Sequence, residues 1–207
     1  MLPSIRAAVW GAALSVLFPA VTLAQARAPA PRPRLNVATF LAGAAVGLGA
    51  HELGHVTFDL AFGARLGVKR VSFRGLPFFA ITHHEVSPRR EFAISSAGFW
   101  VQHATSEWIL TRTPDLRDTS DSFEKGWLAF NVMSSAVYSA AAFTHGGPPE
   151  RDTRGMALSL GVDEGWVGAM ILAPAVLDAV RYFKPRARWA VWTSRGLKVG
   201  LVLLAIK

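Results

Sequence analysis

The chain of 207 residues contains no cysteine. That excludes a disulfide framework, a thiolate nucleophile and any Cys-ligated metal site. Charge is scarce as well. Charged residues make up 17% against 51% hydrophobic ones, and the mean hydropathy is +0.30. A chain this apolar is neither disordered nor an ordinary soluble domain. Acidic residues are the rarer sign, 14 against 22 Lys and Arg, for a formal charge of +8. Nucleic acid is not implied as a partner, because no segment joins a basic stripe to a nucleic-acid fold motif. The arginines sit between apolar runs instead, the distribution expected of a membrane protein under the positive-inside bias. The composition points to an integral membrane protein, with the lipid bilayer as its surroundings.

Residues 1–26 read as a secretory signal peptide: Arg6, an apolar run Ala7 to Ala24, then small residues at Ala24-Gln25-Ala26. The alternative is an uncleaved first helix, which Pro19 disfavours as a long straight rod. Residues 27–35 form a Pro-rich extended linker. The remainder, 36–207, is read as one membrane-embedded domain. Its expected class is an all-α polytopic membrane protein with about five spans: 36–62, 92–110, 126–143, 165–183 and a weaker 187–206. Between the first two, Val68, Val71 and Phe73 face Phe78, Phe79 and Ile81 across Gly75-Leu76-Pro77, a β-hairpin pattern. The connection 144–163 holds a short helix starting at Asp152.

His51-Glu52-Leu53-Gly54-His55 carries the chemistry. On a helix, residues i and i+4 share a face, so both imidazoles reach one Zn²⁺. Glu52 then lies beside the metal, placed to take a proton from the attacking water. Ionisable residues inside an apolar span are costly and mark function by default. The spacing by itself gives a zinc hydrolase.

Beyond that pentapeptide the chain resembles the site-2 protease type of intramembrane zinc metalloprotease. The likeness runs from the pentapeptide through Phe62-Gly63-Ala64-Arg65-Leu66-Gly67-Val68 and the hairpin. It ends at Ala93-Ile94-Ser95-Ser96-Ala97-Gly98-Phe99, similar to the family's Ala-Gly-Pro helix start, with Phe99 in the place of Pro. It covers about 36–110 well and the rest loosely. It implies hydrolysis of peptide bonds in membrane-embedded protein or peptide substrates. It also implies an Asp as third zinc ligand, from a Leu-Asp-Gly motif. Pro174-Ala175-Val176-Leu177-Asp178-Ala179 has the Pro and the Leu-Asp, with Ala179 in the place of Gly.

Asp178 is therefore the first choice of third ligand, although it can equally pair with Arg181 on its own helix. Asp152 is the alternative. If the mature N-terminus is outside, counting spans places Asp152 on the membrane face nearer the histidines. An Asp at a helix start is also a common cap. Glu107, Asp163, His103 and His145 are further options. In the second span Gln102, His103, Ser106 and Glu107 form a polar stripe on one face. They are read as groups orienting the zinc histidines or as interhelical hydrogen bonds. Asn131 is read as a substrate or oxyanion contact or, more simply, a packing amide. His83 and His84 are expected at the membrane interface.

The resulting expectation is an intramembrane zinc metalloprotease, Glu52 its general base and His51, His55 and an Asp its ligands, in a bacterial inner membrane. Two alternatives stand beside it. One is an inactive membrane scaffold or chaperone of the same fold; the other is a zinc hydrolase acting on a lipid-like substrate.

Overall fold

The computed structural model describes residues 33–73 and 76–204; the signal-peptide reading of residues 1–26 and most of the linker lie outside them. The described residues form six helices and one hairpin. In chain order these are α1 (Val37–Ala61), β1 (Leu66–Phe73), β2 (Leu76–His83), α2 (Pro88–Arg112), α3 (Ser122–Phe143), α4 (Asp152–Leu160), α5 (Glu164–Phe183) and α6 (Arg188–Leu204). A 3₁₀ turn, Leu116–Asp118, links α2 to α3.

Local chemistry sets most of these boundaries. Asn36 caps α1 by accepting from the Thr39 amide, Asp121 caps α3 through Glu124, and Asp163 caps α5 through Gly165. Pro88 starts α2, where its missing N–H costs nothing. Gly161, with φ of 66°, ends α4 in the left-handed conformation that glycine tolerates best. The strands pair antiparallel, Leu66 opposite His83 and Phe73 opposite Leu76, so the expected hairpin is present.

Helix α2 is the centre of the bundle: residues 92–99 are all buried. Phe92 and Phe99 pack on Met156 and Ala157 of α4 and on Val167 and Ile171 of α5. Helices α1 and α3 meet backbone to backbone. A Cβ on Gly126 would lie 1.9 Å from the Phe40 carbonyl oxygen, and one on Gly43 would lie 2.0 Å from that of Phe123. Small residues at both crossings permit that approach.

Helical content and the hairpin agree with the expected class. The count of spans does not follow from length and composition: two helices, α1 and α5, are long and apolar enough to cross a membrane. The other expected spans are more polar. Helix α2 carries Glu91, Gln102, His103 and Glu107, α3 opens on Glu124 and Lys125, and α6 bears Arg188, Arg195 and Lys198.

Candidate metal centre

His51 and His55 lie on the buried face of α1, one turn apart, and their Nε2 atoms are 3.1 Å from each other. Asp152, the first residue of α4, brings its Oδ2 to 3.2 Å from His51 Nε2 and 3.4 Å from His55 Nε2. The three ligand atoms lie within 4.8 Å of one another, so His51, His55 and Asp152 form a group that can hold a metal ion.

The hydrogen bonding around the group fits that role. His55 Nδ1 donates to the Ile94 carbonyl at 2.7 Å. A carbonyl only accepts, so that nitrogen carries the proton and a neutral His55 has a bare lone pair on Nε2. His51 Nδ1 is buried without a partner. Two Nε2 atoms and a carboxylate oxygen converge at 3.1 to 3.4 Å, too close to sit together without a cation, proton or metal ion, among them. That is an arrangement of acceptors completed by a cation. Burial opposes ionisation of Asp152, but the neighbouring His55 and His51 outweigh it and hold its carboxyl well below the usual carboxylate range.

The surrounding sequence fixes these side chains tightly. His51 packs on α2 at Gly98, where a Cβ would lie 2.4 to 2.6 Å from three atoms of its ring. Phe99 meets the His51 ring edge-on, with centroids 5.5 Å apart. Gly54 gives room for the Ala97 carbonyl, 2.9 Å from where its Cβ would be. Asp152 is bracketed by two anchored neighbours. Arg151 forms a two-pronged pair with Glu164, and Thr153 donates to the same carboxylate at 2.6 Å. All three of those partners are buried, so the start of α4 is fastened to the start of α5. Asp152 at the first turn also suits the helix dipole.

His55 and Asp152 line a cleft of about 530 Å³, together with Glu52, Asp59, Tyr138 and residues 80–85 of the hairpin side. Glu52 is half-buried and outside the set of ligands.

Asp178, the first choice from the Leu-Asp resemblance, is not with the histidines. It is buried at the α5–α6 contact, where Ser194 donates to it at 2.9 Å and Lys198 Nζ lies at 2.8 Å. Arg181 is 3.4 Å away, the same-helix pairing that its spacing allows. Glu107 belongs to this charge network, bound by Arg181, Arg195 and Lys198. Asp163 is an exposed cap paired with His145 at 3.0 Å. Asn131 donates to the Gln102 carbonyl and to Thr105 and Ser106, so it packs α3 on α2. Gln102 accepts from Ser135, and His103 is buried with Nε2 unpartnered. None of Gln102, His103, Glu107 and Asn131 has a described hydrogen bond to the histidine–aspartate group. The polar stripe serves helix packing, because it turns toward α3, α5 and α6 rather than toward α1.

The two hairpin histidines, both expected at the membrane interface, differ in their surroundings. His84 is exposed, but His83 is tied down, with Nδ1 3.2 Å from Asp59 Oδ1 and Nε2 2.7 Å from Glu91 Oε2. The hydrogen bond to Glu91 raises the His83 pKa, burial lowers it, and the charges of Glu91 and Asp59 raise it again, for a net upward shift. The protonated ring therefore holds the end of β2 to α1 and α2. Because the folded value exceeds the ordinary ~6.5, this contribution is complete below that pH and is lost as pH rises through the raised value. Amide exchange across residues 80–83 is expected to accelerate as pH rises above ~6.5, beyond its intrinsic rise. His83→Gln should remove that extra dependence, and an unchanged profile would reject the tie.

Sequence reasoning did not single out Tyr138, Asp59 or the Arg151–Glu164 pair. Asp59 carries a usable signal, since it lies one turn beyond His55 on the same face. No protein-family model, curated protein or solved structure matches this chain.

Proposed function

We propose that the chain is a zinc-dependent peptidase of the site-2 protease type, hydrolysing peptide bonds of membrane-embedded protein or peptide substrates. The observation that carries this reading is the convergence of His51, His55 and Asp152, with His55 and Asp152 lining one cleft together with Glu52. Two nitrogens and one carboxylate oxygen make a donor set suited to catalytic zinc, which keeps a further position open. Zinc bound by His51, His55 and Asp152 would supply Lewis acidity, acidifying water and polarising the scissile carbonyl. Glu52 takes a proton as the water oxygen adds to the carbonyl carbon. It returns that proton to the amine as the C–N bond breaks, so no proton is gained or lost.

The setting supports a membrane substrate. The apolar side chains of α1 face outward: Leu41, Leu53 and Leu60 are all at least 60% exposed. A lipid environment would cover them, with the bacterial inner membrane as the proposed location. Trp189 and Trp192 of α6 are also exposed, as aromatic residues at a lipid–water boundary are. Strand β2 pairs only with β1 among the described residues, and part of it lines the cleft. An extended peptide can add to such an edge, which suits a protease because helical backbone is hidden from attack.

The test uses full-length protein in detergent. About one zinc per chain is expected, together with cleavage of a membrane-anchored peptide that a chelator stops and added zinc restores. Protein that takes up no metal overturns the reading. Zinc-dependent release of fatty acid from phospholipid, with no peptide cleaved, would favour the lipid hydrolase instead.

A further inference from the structure

Outside the metal centre, α2, α5 and α6 share a charge network. Three cations, Arg181, Arg195 and Lys198, surround two carboxylates, Glu107 and Asp178. Ser194 and Thr111 add hydrogen bonds without adding charge. Among the described residues no further acid pairs with these cations, so the group carries a positive charge that no side chain offsets. All five charged members are buried or half-buried. A net charge held away from water is costly unless an anion completes it.

The network opens on a pocket of about 190 Å³, where the ends of α2 and α5 meet the first half of α6. Arg181 and Arg195 line it with Thr111, Pro114 and Pro185, and no acidic side chain does. Arg181 is taken up by Glu107 and Asp178. Arg195 gives Nε to Glu107 and Nη2 to Thr111, and among the described residues its Nη1 donates to no group. An anion in this pocket meets one guanidinium with a donor to spare.

The surroundings define the kind of anion. Arg195 lies over the Trp192 ring at 5.4 Å, Arg112 over Trp108 at 5.3 Å and Arg117 over Phe183 at 5.5 Å. All three rings are exposed. Cations set on exposed aromatic faces suit the boundary between lipid headgroups and acyl chains. From Trp192 a stripe without polar side chains runs along α6, with Gly196, Val199 and Leu203 following at helical spacing, all exposed. A free phosphate would use the pocket and leave that stripe bare. A phospholipid uses both, its phosphate on the arginines and an acyl chain along the stripe. Exposed Arg112, Lys184 and Arg188 at these helix ends disfavour the amine of a zwitterionic headgroup, so the lipid carries net negative charge.

We propose that the pocket between α2, α5 and α6 is a binding site for an anionic phospholipid, with Arg195 as its anchor on the lipid phosphate. The proposal goes beyond the peptidase reading and uses none of the metal-centre residues. It draws on the membrane setting alone.

The experiment places full-length protein in nanodiscs of phosphatidylcholine, alone or mixed with phosphatidylglycerol. The melting temperature is expected to rise by about 2 °C or more in the mixed discs, as a ligand bound to the folded state produces. Native mass spectrometry should show phosphatidylglycerol retained on the chain. Inorganic phosphate added to the phosphatidylcholine discs should give no rise. Arg195→Gln should lose most of the rise, each protein being compared with itself so that a lower starting stability does not intrude. Arg65→Gln, at an exposed position before the hairpin, should keep it. Equal melting in both discs would overturn the proposal. So would a rise lost equally in Arg65→Gln, which means general surface attraction, or one reproduced by inorganic phosphate, which means a simple anion site. Retention of a second chain in place of lipid would make this face a contact between copies and overturn it too.

A second readout does not depend on Arg195→Gln folding. Phosphatidylglycerol brominated in its acyl chains should quench the tryptophan fluorescence of wild type more than brominated phosphatidylcholine at the same fraction. Trp192→Phe should remove that excess. Equal quenching by the two lipids would reject the site. Neither readout involves zinc, so a protein that takes up no metal would lose the peptidase reading and keep this one.

Discussion

Glu52→Gln is expected to keep about one zinc per chain and to lose peptide cleavage by about 10²- to 10⁴-fold, the usual contribution of a positioned general base. The substitution is close to isosteric and removes only the ionisable oxygen. Glu52 lies between His51 and His55 in sequence, on a helix whose buried face carries the two imidazoles. Its own side chain is turned to the cleft rather than into the ligand group. Metal content measured by elemental analysis should therefore match wild type, while the cleavage rate collapses. The variant is also suited to holding uncleaved substrate, so the bound molecule can be recovered and identified as peptide or lipid. A folded, zinc-loaded Glu52→Gln protein that cleaves at the wild-type rate would dispose of the proposed mechanism.

The parts of this site that were legible in sequence are those governed by local periodicity. The i, i+4 spacing of His51 and His55 dictates a shared helix face, and the structure has it. The alternation on either side of Gly75 predicts the hairpin, and a short helix begins at Asp152 as its sequence suggests. What was not legible depends on partners far apart in the chain. Asp178 carries a Leu-Asp pattern similar to a metal motif, yet its environment is set by Ser194 and Lys198, 16 and 20 residues further on. No local pattern distinguishes an aspartate that meets a lysine on the next helix from one that meets two histidines. Asp152 carries an equally ordinary signal, an acid at a helix start, and becomes significant only because Gly155 lets α4 approach α2. A Cβ on Gly155 would lie 2.2 Å from Ser95 Oγ. The polar stripe on α2 does form one face, but periodicity does not say which helix that face meets.

The two aspartates should separate cleanly on mutation. Asp152→Ala removes one of three converging donors, leaving two histidines on a single helix to hold the ion. Zinc affinity is expected to fall by more than about 100-fold, beyond what loss of an orienting group produces. The fold should survive, because Arg151, Glu164 and Thr153 fasten the start of α4 without the Asp152 side chain. Asp178→Ala should do the opposite. It leaves Lys198 and Arg181 buried with Glu107 as their remaining acidic partner. Breaking a buried pair on one side costs about 3–5 kcal/mol. The expected result is a marked drop in melting temperature with zinc per chain unchanged in the protein that remains folded. Asp178→Asn separates charge from shape at the same position, since the amide still fits against Ser194 while the attraction to Lys198 is lost. Stability intermediate between wild type and Asp178→Ala is expected for it, again with full zinc. Zinc lost from folded Asp178→Asn and retained by Asp152→Ala would return Asp178 to the role of third ligand. It would also require α5 and α6 to part, because its carboxylate is held by side chains from both.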